Sequence, residues 1–296
     1  MDTIKLFDAY ENIRPHLPIN KSEHKKAILL NNTKELTQLA SCFFLDAFGI
    51  LNVGNTPIQG ANEFLQQLEK QNIPYLIVSN AASVSKLEVC KRFSSMGFCL
   101  DPNSIITSRE VLFHTLRHSS EHWGIIAQQQ ELEHPMPHTF SNDESFFTNE
   151  RFLFLSSKAW DDTLQKKWLE RFLRKPFEVW VANPDLTSPQ NDGFVAKEPG
   201  FYTLLEQNIL KKAHFIGKPF PEIFEYAIEI AKRRWNIDKK EIMMVGDTLH
   251  TDILGANAIG LQSALIEGYG FFKGFDTTPF MQKSGIYPDV RLSFYK

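Results

Sequence analysis

Short apolar runs rich in β-branched and aromatic residues recur along the chain. They read CFFLD from Cys42, PYLIVSN from Pro74, IITS from Ile105, FLFLSS from Phe152, FEVWVAN from Phe177, HFIGK from His214, IMMVGD from Ile242 and SALIEG from Ser263. Most are about a strand long. Between several of them apolar residues fall at three- and four-residue spacing, which predicts helices over Gly60–Lys70, Ser83–Phe93, Pro221–Trp235 and Thr251–Ala258. Strand and helix in alternation predict an α/β fold, a Rossmann-like parallel sheet with helices on both faces. In such sheets ligands bind beyond the carboxyl ends of the strands, so the acids and small polar residues that end these runs converge on one place.

The pattern changes between Arg117 and Lys212. Aromatics (Phe146, Phe147, Trp160, Trp168, Phe172, Trp180) interrupt a less regular sequence, and the polar stretch Gln128–Thr148 reads as a long loop. This predicts an inserted α/β domain, residues 117–212, between two core segments, 41–116 and 213–296. Residues 1–40 are polar with scattered leucines and predict a short helical extension. The aromatics of the insert are expected to be core rather than a substrate platform.

Composition narrows the classes. With 296 residues and 43% hydrophobic content the chain can build a large core. A formal charge of −3 gives no reason to invoke nucleic acid or an anionic membrane as partner. Cys42, Cys90 and Cys99 form no CxxC pair, so neither a disulfide framework nor a structural zinc site is expected, and a reducing cytoplasm suits them. The N-terminus lacks a basic start followed by an apolar stretch, and no run of about 18 apolar residues is present, so neither secretion nor membrane insertion is indicated. Nothing in the pattern decides whether copies of the chain pair as a homo-oligomer.

Four stretches carry chemistry. Asp46 ends the first strand, followed by Gly49, which permits a tight turn; its carboxylate can be a nucleophile, a metal ligand or both. Ser79 and Asn80 end the second, where a hydroxyl and an amide can hydrogen-bond an oxyanion. Lys218, after Gly217 and before Pro219, can neutralise phosphate charge. Asp247 at a strand end and Asp252 at the next helix start are hard oxygen ligands suited to magnesium. Taken singly, each is as well explained as a turn residue, a helix cap or a solvated lysine. Four in one chain order, each at a strand end, favour a site. His134 and His138 of HPMPH have ligand chemistry, but a proline-bearing polar loop favours a surface role; His250 is expected near the site rather than in it.

These motifs, FFLDAFGIL, LIVSN, GKP and VGDTLHTD, resemble those of the haloacid dehalogenase-like hydrolase superfamily. DAFGILNVGNTPIQGANEFL and the Asn183-Pro184-Asp185 stretch of VANPDLTSPQNDGF resemble its class IIA branch, and the wide gap between the second and third motifs matches a late-inserted cap. The resemblance runs from about Ser41 to Gly270. It implies that Asp46 attacks phosphorus, that Ser79 and Lys218 hold the transferring oxygens, and that Mg2+ is bound by Asp46, the Phe48 carbonyl and Asp247, with Asp252 supporting it. It further implies a small phosphorylated metabolite as substrate, with Asn80, Asn183 and Asp185 as substrate-binding candidates and the loop Leu186–Val195 as a specificity element.

One departure matters. Most phosphatases of this family have a second aspartate where Phe48 stands, to protonate the leaving group and activate water. Losing a general acid/base forfeits about 10²–10⁴ in rate. The 2-haloacid dehalogenases also resemble the chain here, with an aromatic at this position, but they are similar in carrying an early cap and needing no metal. Part of the class IIA branch itself bears an aromatic there. A non-catalytic phosphate-binding or regulatory protein that keeps the fold is the remaining alternative.

Overall fold

The computed structural model describes residues 2–23, 26–128, 136–189 and 195–295. Along the chain come helix α1 (Thr3–Asn12), strand β1 (Ile28–Leu30), the one-turn α2 (Thr33–Leu36), and β2 (Cys42–Leu45), followed by a hairpin of β3 (Asn52–Val53) and β4 (Thr56–Pro57). Next are α3 (Ala61–Lys70), β5 (Tyr75–Ser79), α4 (Lys86–Ser95), β6 (Ile105–Thr107) and α5 (Ser108–Thr115). The middle of the chain contains β7 (Trp123–Ile126), β8 (His138–Phe140), β9 (Arg151–Phe154), α6 (Asp162–Arg174), β10 (Glu178–Val181), β11 (Thr187–Pro189), β12 (Val195–Lys197), α7 (Pro199–Thr203) and β13 (Ala213–Phe215). The last part holds α8 (Pro221–Trp235), β14 (Ile242–Gly246), α9 (Leu254–Ile259), β15 (Gln262–Ile266), α10 (Thr278–Ser284) and β16 (Val290–Leu292).

The chain forms two compact units. The first comprises residues 1–79, 90–106 and 218–296, the second residues 80–89 and 107–217. The first is a Rossmann-like α/β unit around a seven-stranded sheet in the order β1-β16-β15-β14-β2-β5-β6. The pairings of β2 with β14 and β5, of β14 with β15, and of β16 with β15 and β1 are parallel. All of Cys42–Leu45 and Ile242–Gly246 is buried, which is why these strands read as unbroken apolar runs rather than alternating ones. From β2 the chain winds outward to β5 and β6, and from β14 the other way to β15 and β16. The order therefore switches between β2 and β14, where a parallel sheet opens a crevice at its carboxyl edge.

The N-terminal segment, expected to be helical, carries α1 and the one-turn α2 and also an edge strand between them: β1 pairs in register with β16, Ile28 against Val290. The helix expected over Thr251–Ala258 instead begins as a π-turn, Leu249–Ile253, before α9. In the second unit the sheet order is β13-β10-β9-β7-β8. HFIGK thus supplies β13 to this sheet, beside β10, rather than a strand to the first. The stretch Gln128–Thr148 is not all loop: His138–Phe140 pairs with β7. An edge strand of three half-buried residues is too short to show an alternation. Phe146, Trp160, Trp168 and Phe172 are buried in an aromatic core with Phe152 and Phe154, as expected, whereas Phe147 and Trp180 are half-buried.

Among the described residues no helix is long and apolar enough to cross a membrane. Cys42 and Cys90 are buried and Cys99 is exposed. Burial pushes the Cys42 thiol up to about 12, against the Phe43 amide that lowers it, so little thiolate forms there. In the native protein a chromogenic disulfide reagent is expected to titrate one thiol rapidly, and all three after denaturation; rapid reaction of Cys42 would contradict the burial of β2.

Candidate active site

Asp46 and Asp247 are carried to neighbouring positions by the sheet itself. In the β2–β14 register Leu45 lies against Val245, and the Asp46 amide donates to the Val245 carbonyl at 2.9 Å. Each acid is thus the first or second residue past a paired strand end, at the switch in strand order. After Asp46 the chain turns sharply. The Leu51 amide reaches back to the Ala47 carbonyl at 2.8 Å, and Gly49 takes φ +73°. A side chain at Gly49 would be strained by that φ and would also collide with Asp247, its Cβ falling 2.2 Å from Oδ2. The Phe48–Gly49 peptide therefore lies against the Asp247 carboxylate. Phe48 itself is half-buried and forms a bridge with Asn52.

Lys218 stands between two of the acids. Its Nζ is 2.6 Å from Asp46 Oδ1 and 2.7 Å from Asp252 Oδ1, with its side chain 2% exposed. Asp46 Oδ1 also accepts from the Ala47 amide at 2.7 Å, so Oδ2 is the oxygen left to act on a ligand. Asp252 is held at both ends, since its Oδ2 accepts from the Thr248 amide at 3.2 Å. Asp247 accepts from Thr248 Oγ1 at 3.0 Å and from the Phe271 amide at 2.7 Å. Side-chain exposure separates the roles: 14% for Asp46 and 0% for Asp252. The first is reached by solvent; the second is not.

Three carboxylates share this space with one lysine. Burial first, and the Asp252 charge after it, push the Asp46 carboxyl up to about 7 despite the pull of Lys218. Burial followed by the charges of Asp252 and Asp46 pushes Asp247 up to about 8. For Lys218 burial works downward, but the two carboxylates outweigh it and hold the ammonium protonated. The cluster is short of positive charge. One ligand oxygen from each of Asp46, Asp247 and Asp252 can be chosen so that all lie within 4.8 Å of one another, a hard all-oxygen set. The donor chemistry and the charge deficit both fit a divalent cation such as Mg2+.

Ser79 closes β5 and is 8% exposed. In the second unit, Asn80, Asn183 and Asp185 form one hydrogen-bonded chain. Asn80 Nδ2 donates to Asp185 Oδ1 at 2.9 Å, and the Asp185 amide donates to Asn183 Oδ1 at 3.0 Å. Gly217 and Gly200 let this chain close up, because a Cβ on either would fall 2.5 Å or less from an atom of Pro184. Of the loop Leu186–Val195, residues 190–194 lie outside the described residues, and its arms pair as β11 and β12. His134 also lies outside them, while His138 Nδ1 is 2.7 Å from the Met136 carbonyl. His250 is fully buried, with Nε2 2.5 Å from Glu11 Oε1, and burial pushes its imidazole down against the opposing pull of Glu11.

Sequence reasoning missed two contributors. Glu198 accepts from Asn183 Nδ2 at 3.1 Å and from the Ser188 hydroxyl, and burial raises its carboxyl. Gly270 and Phe271 wrap Asp247: a Cβ on Gly270 would fall 1.7 Å from Oδ2. The glycine pair of EGYGFF, just past the SALIEG strand, was the available signal.

The family model described as haloacid dehalogenase-like hydrolase matches residues 43–135, and one described as HAD-hydrolase-like matches 215–277. Among curated proteins, an acid sugar phosphatase of Staphylococcus haemolyticus is 24% identical over 229 residues, 76% of this chain and 84% of its own length. The ribonucleotide monophosphatase NagD of Escherichia coli is 25% identical over 253 residues, 83% of this chain and 94% of its own. Among solved structures, a possible sugar phosphatase of the HAD superfamily from Cytophaga hutchinsonii superimposes with a TM-score of 0.79 at 25% identity, covering 90% of this chain and 98% of that one.

The close approach at Gly270 gives a direct test of the cluster. Gly270→Ala is expected to leave the far-ultraviolet circular dichroism unchanged and to weaken Mn2+ binding about 10- to 100-fold, measured by electron paramagnetic resonance of the free ion. Unchanged affinity would mean that Asp247 is not a ligand.

Proposed function

We propose that the chain, a haloacid dehalogenase-like hydrolase of the class IIA branch, is a Mg2+-dependent phosphatase of a small phosphorylated metabolite with Asp46 as its nucleophile. One observation carries the reading: a partly accessible carboxylate held by a buried lysine beside two further buried acids. The names of its relatives, sugar and nucleotide phosphatases, support the substrate class.

Asp46 Oδ2 attacks phosphorus and the bond to the leaving oxygen breaks, forming an aspartyl-phosphate. Lys218 favours the ionised form of Asp46 through its contact with Oδ1, opposing the effect of burial, and, with the Ser79 hydroxyl, offers donors to the phosphoryl oxygens. Water then attacks phosphorus, the bond from the Asp46 oxygen to phosphorus breaks and the water's proton passes to solvent, which releases inorganic phosphate and regenerates the carboxylate. Asp46, the Phe48 carbonyl and Asp247 would hold Mg2+, with Asp252 fixing Lys218, and the bound ion supplies charge neutralisation and alignment of the phosphoryl group. Phe48 has no proton to give, so the leaving oxygen takes one from solvent. Good leaving groups are therefore favoured over alkyl ones.

Phosphate release from p-nitrophenyl phosphate is expected to require Mg2+, to stop on chelation, and to fall by roughly 10³-fold or more in Asp46→Asn. Chelator-resistant halide release from a 2-haloacid would favour the dehalogenase reading, and no turnover at all would sink the enzymatic one. In Phe48→Asp, release from alkyl phosphates is expected to rise by about 10²-fold, with a smaller effect on the aryl ester. No gain would mean that the aromatic shapes the pocket as well as removing a proton donor.

A further inference from the structure

Both matched family regions begin after residue 42, so α1 lies outside them. It is nevertheless packed against the segments that carry the acids. Its buried face presents Phe7 and Tyr10, 1% and 3% exposed, to His250, which sits in the π-turn Leu249–Ile253. The imidazole stacks on Tyr10, with centroids 5.2 Å apart and planes at 11°, and meets Phe7 edge-on at 5.0 Å. Its Nε2 is 2.5 Å from Glu11 Oε1. A carboxylate only accepts, so Nε2 carries the proton. Nδ1 is buried without a hydrogen-bond partner among the described residues, which leaves Glu11 as the side chain that fixes the ring.

The same π-turn contains Asp252, two residues on, and Asp252 holds Lys218. A π-turn carries an extra residue per turn and weaker hydrogen bonds than an α-helix, so its shape depends on what packs against it. A second contact runs to the other acid. Thr3 Oγ1 donates to the Phe271 carbonyl at 3.3 Å, and the Phe271 amide donates to Asp247. One helix thus touches both segments that orient the cluster.

From this geometry we propose that α1 is a latch on the catalytic centre, with Glu11 as a positioning residue that acts through His250 to fix Asp252 and hence Lys218. The inference rests on the phosphatase reading for its kinetic consequence but not for its effect on cation binding. The test uses the full chain with p-nitrophenyl phosphate at saturating Mg2+, and Mn2+ affinity as a separate readout. Glu11→Ala is expected to lower kcat about 10- to 100-fold with KM nearly unchanged, and to weaken Mn2+ binding about tenfold. Glu11→Gln keeps an acceptor for Nε2 and is expected to restore both. Asp8→Ala removes the exposed contact of the same helix with Lys283 and should alter neither.

A folded Glu11→Ala protein with unchanged kcat and Mn2+ affinity would overturn the latch, as would a Gln variant as impaired as the Ala one. Should Glu11→Ala fail to fold, Glu11→Asp, whose carboxylate is one methylene short of the ring, is read for the same outcomes. If the native chain turns over no phosphate ester, the phosphatase reading fails, while the Mn2+ comparison still decides the latch.

Discussion

A buried ammonium shared by two carboxylates is the constraint on which the rest depends. Lys218 lies within 2.7 Å of both Asp46 and Asp252, almost out of reach of water. Taking three such charges out of solvent is expensive, and their attraction repays it only when geometry and further hydrogen bonds are good. Those bonds are present in the Ala47 and Thr248 amides. Removing Lys218 would leave two unpaired anions beside a third, a defect of about 3–5 kcal/mol for a broken buried pair. The triad therefore fixes three segments distant in sequence: the end of β2, the turn three residues before α8, and the π-turn after β14. Asp247 adds a third carboxyl that no lysine answers among the described residues, and burial together with its two acidic neighbours raises it, a deficit of positive charge that a cation would relieve.

Much of this was legible in the chain. CFFLD and IMMVGD are strands buried on both faces, and a fully apolar run ending in an acid is an unambiguous pattern once several occur in order. The helix Pro221–Trp235 was also plain, its proline start and apolar spacing both matching α8. Other parts were not legible because they depend on partners far away. HFIGK has the composition of a strand, but composition does not say which sheet it joins, and β13 pairs with β10. The π-turn has the apolar spacing of a helix start, and the helix packed on it, α1, lies more than two hundred residues earlier in the chain. Glu198 sits in a polar stretch without periodicity, and only the fold brings it to Asn183.

Phe48 joins the two halves of the reading. Its backbone belongs to the turn that Gly49 presses against Asp247, so the position is needed whatever the side chain. The side chain decides how protons move. Under the proposed function, Asp46, Lys218 and the neighbouring acids suffice to form an aspartyl-phosphate without the shuttle. The chain depends on the leaving group and on solvent for the rest.

The most direct test is the covalent state of Asp46 during turnover. The native chain, mixed with Mg2+ and an activated phosphate ester and quenched in acid within one turnover, should carry a single phosphoryl group, which peptide mass spectrometry locates on Asp46. Phosphate release under the same conditions with no adduct on Asp46, or an adduct on another residue, would contradict the account.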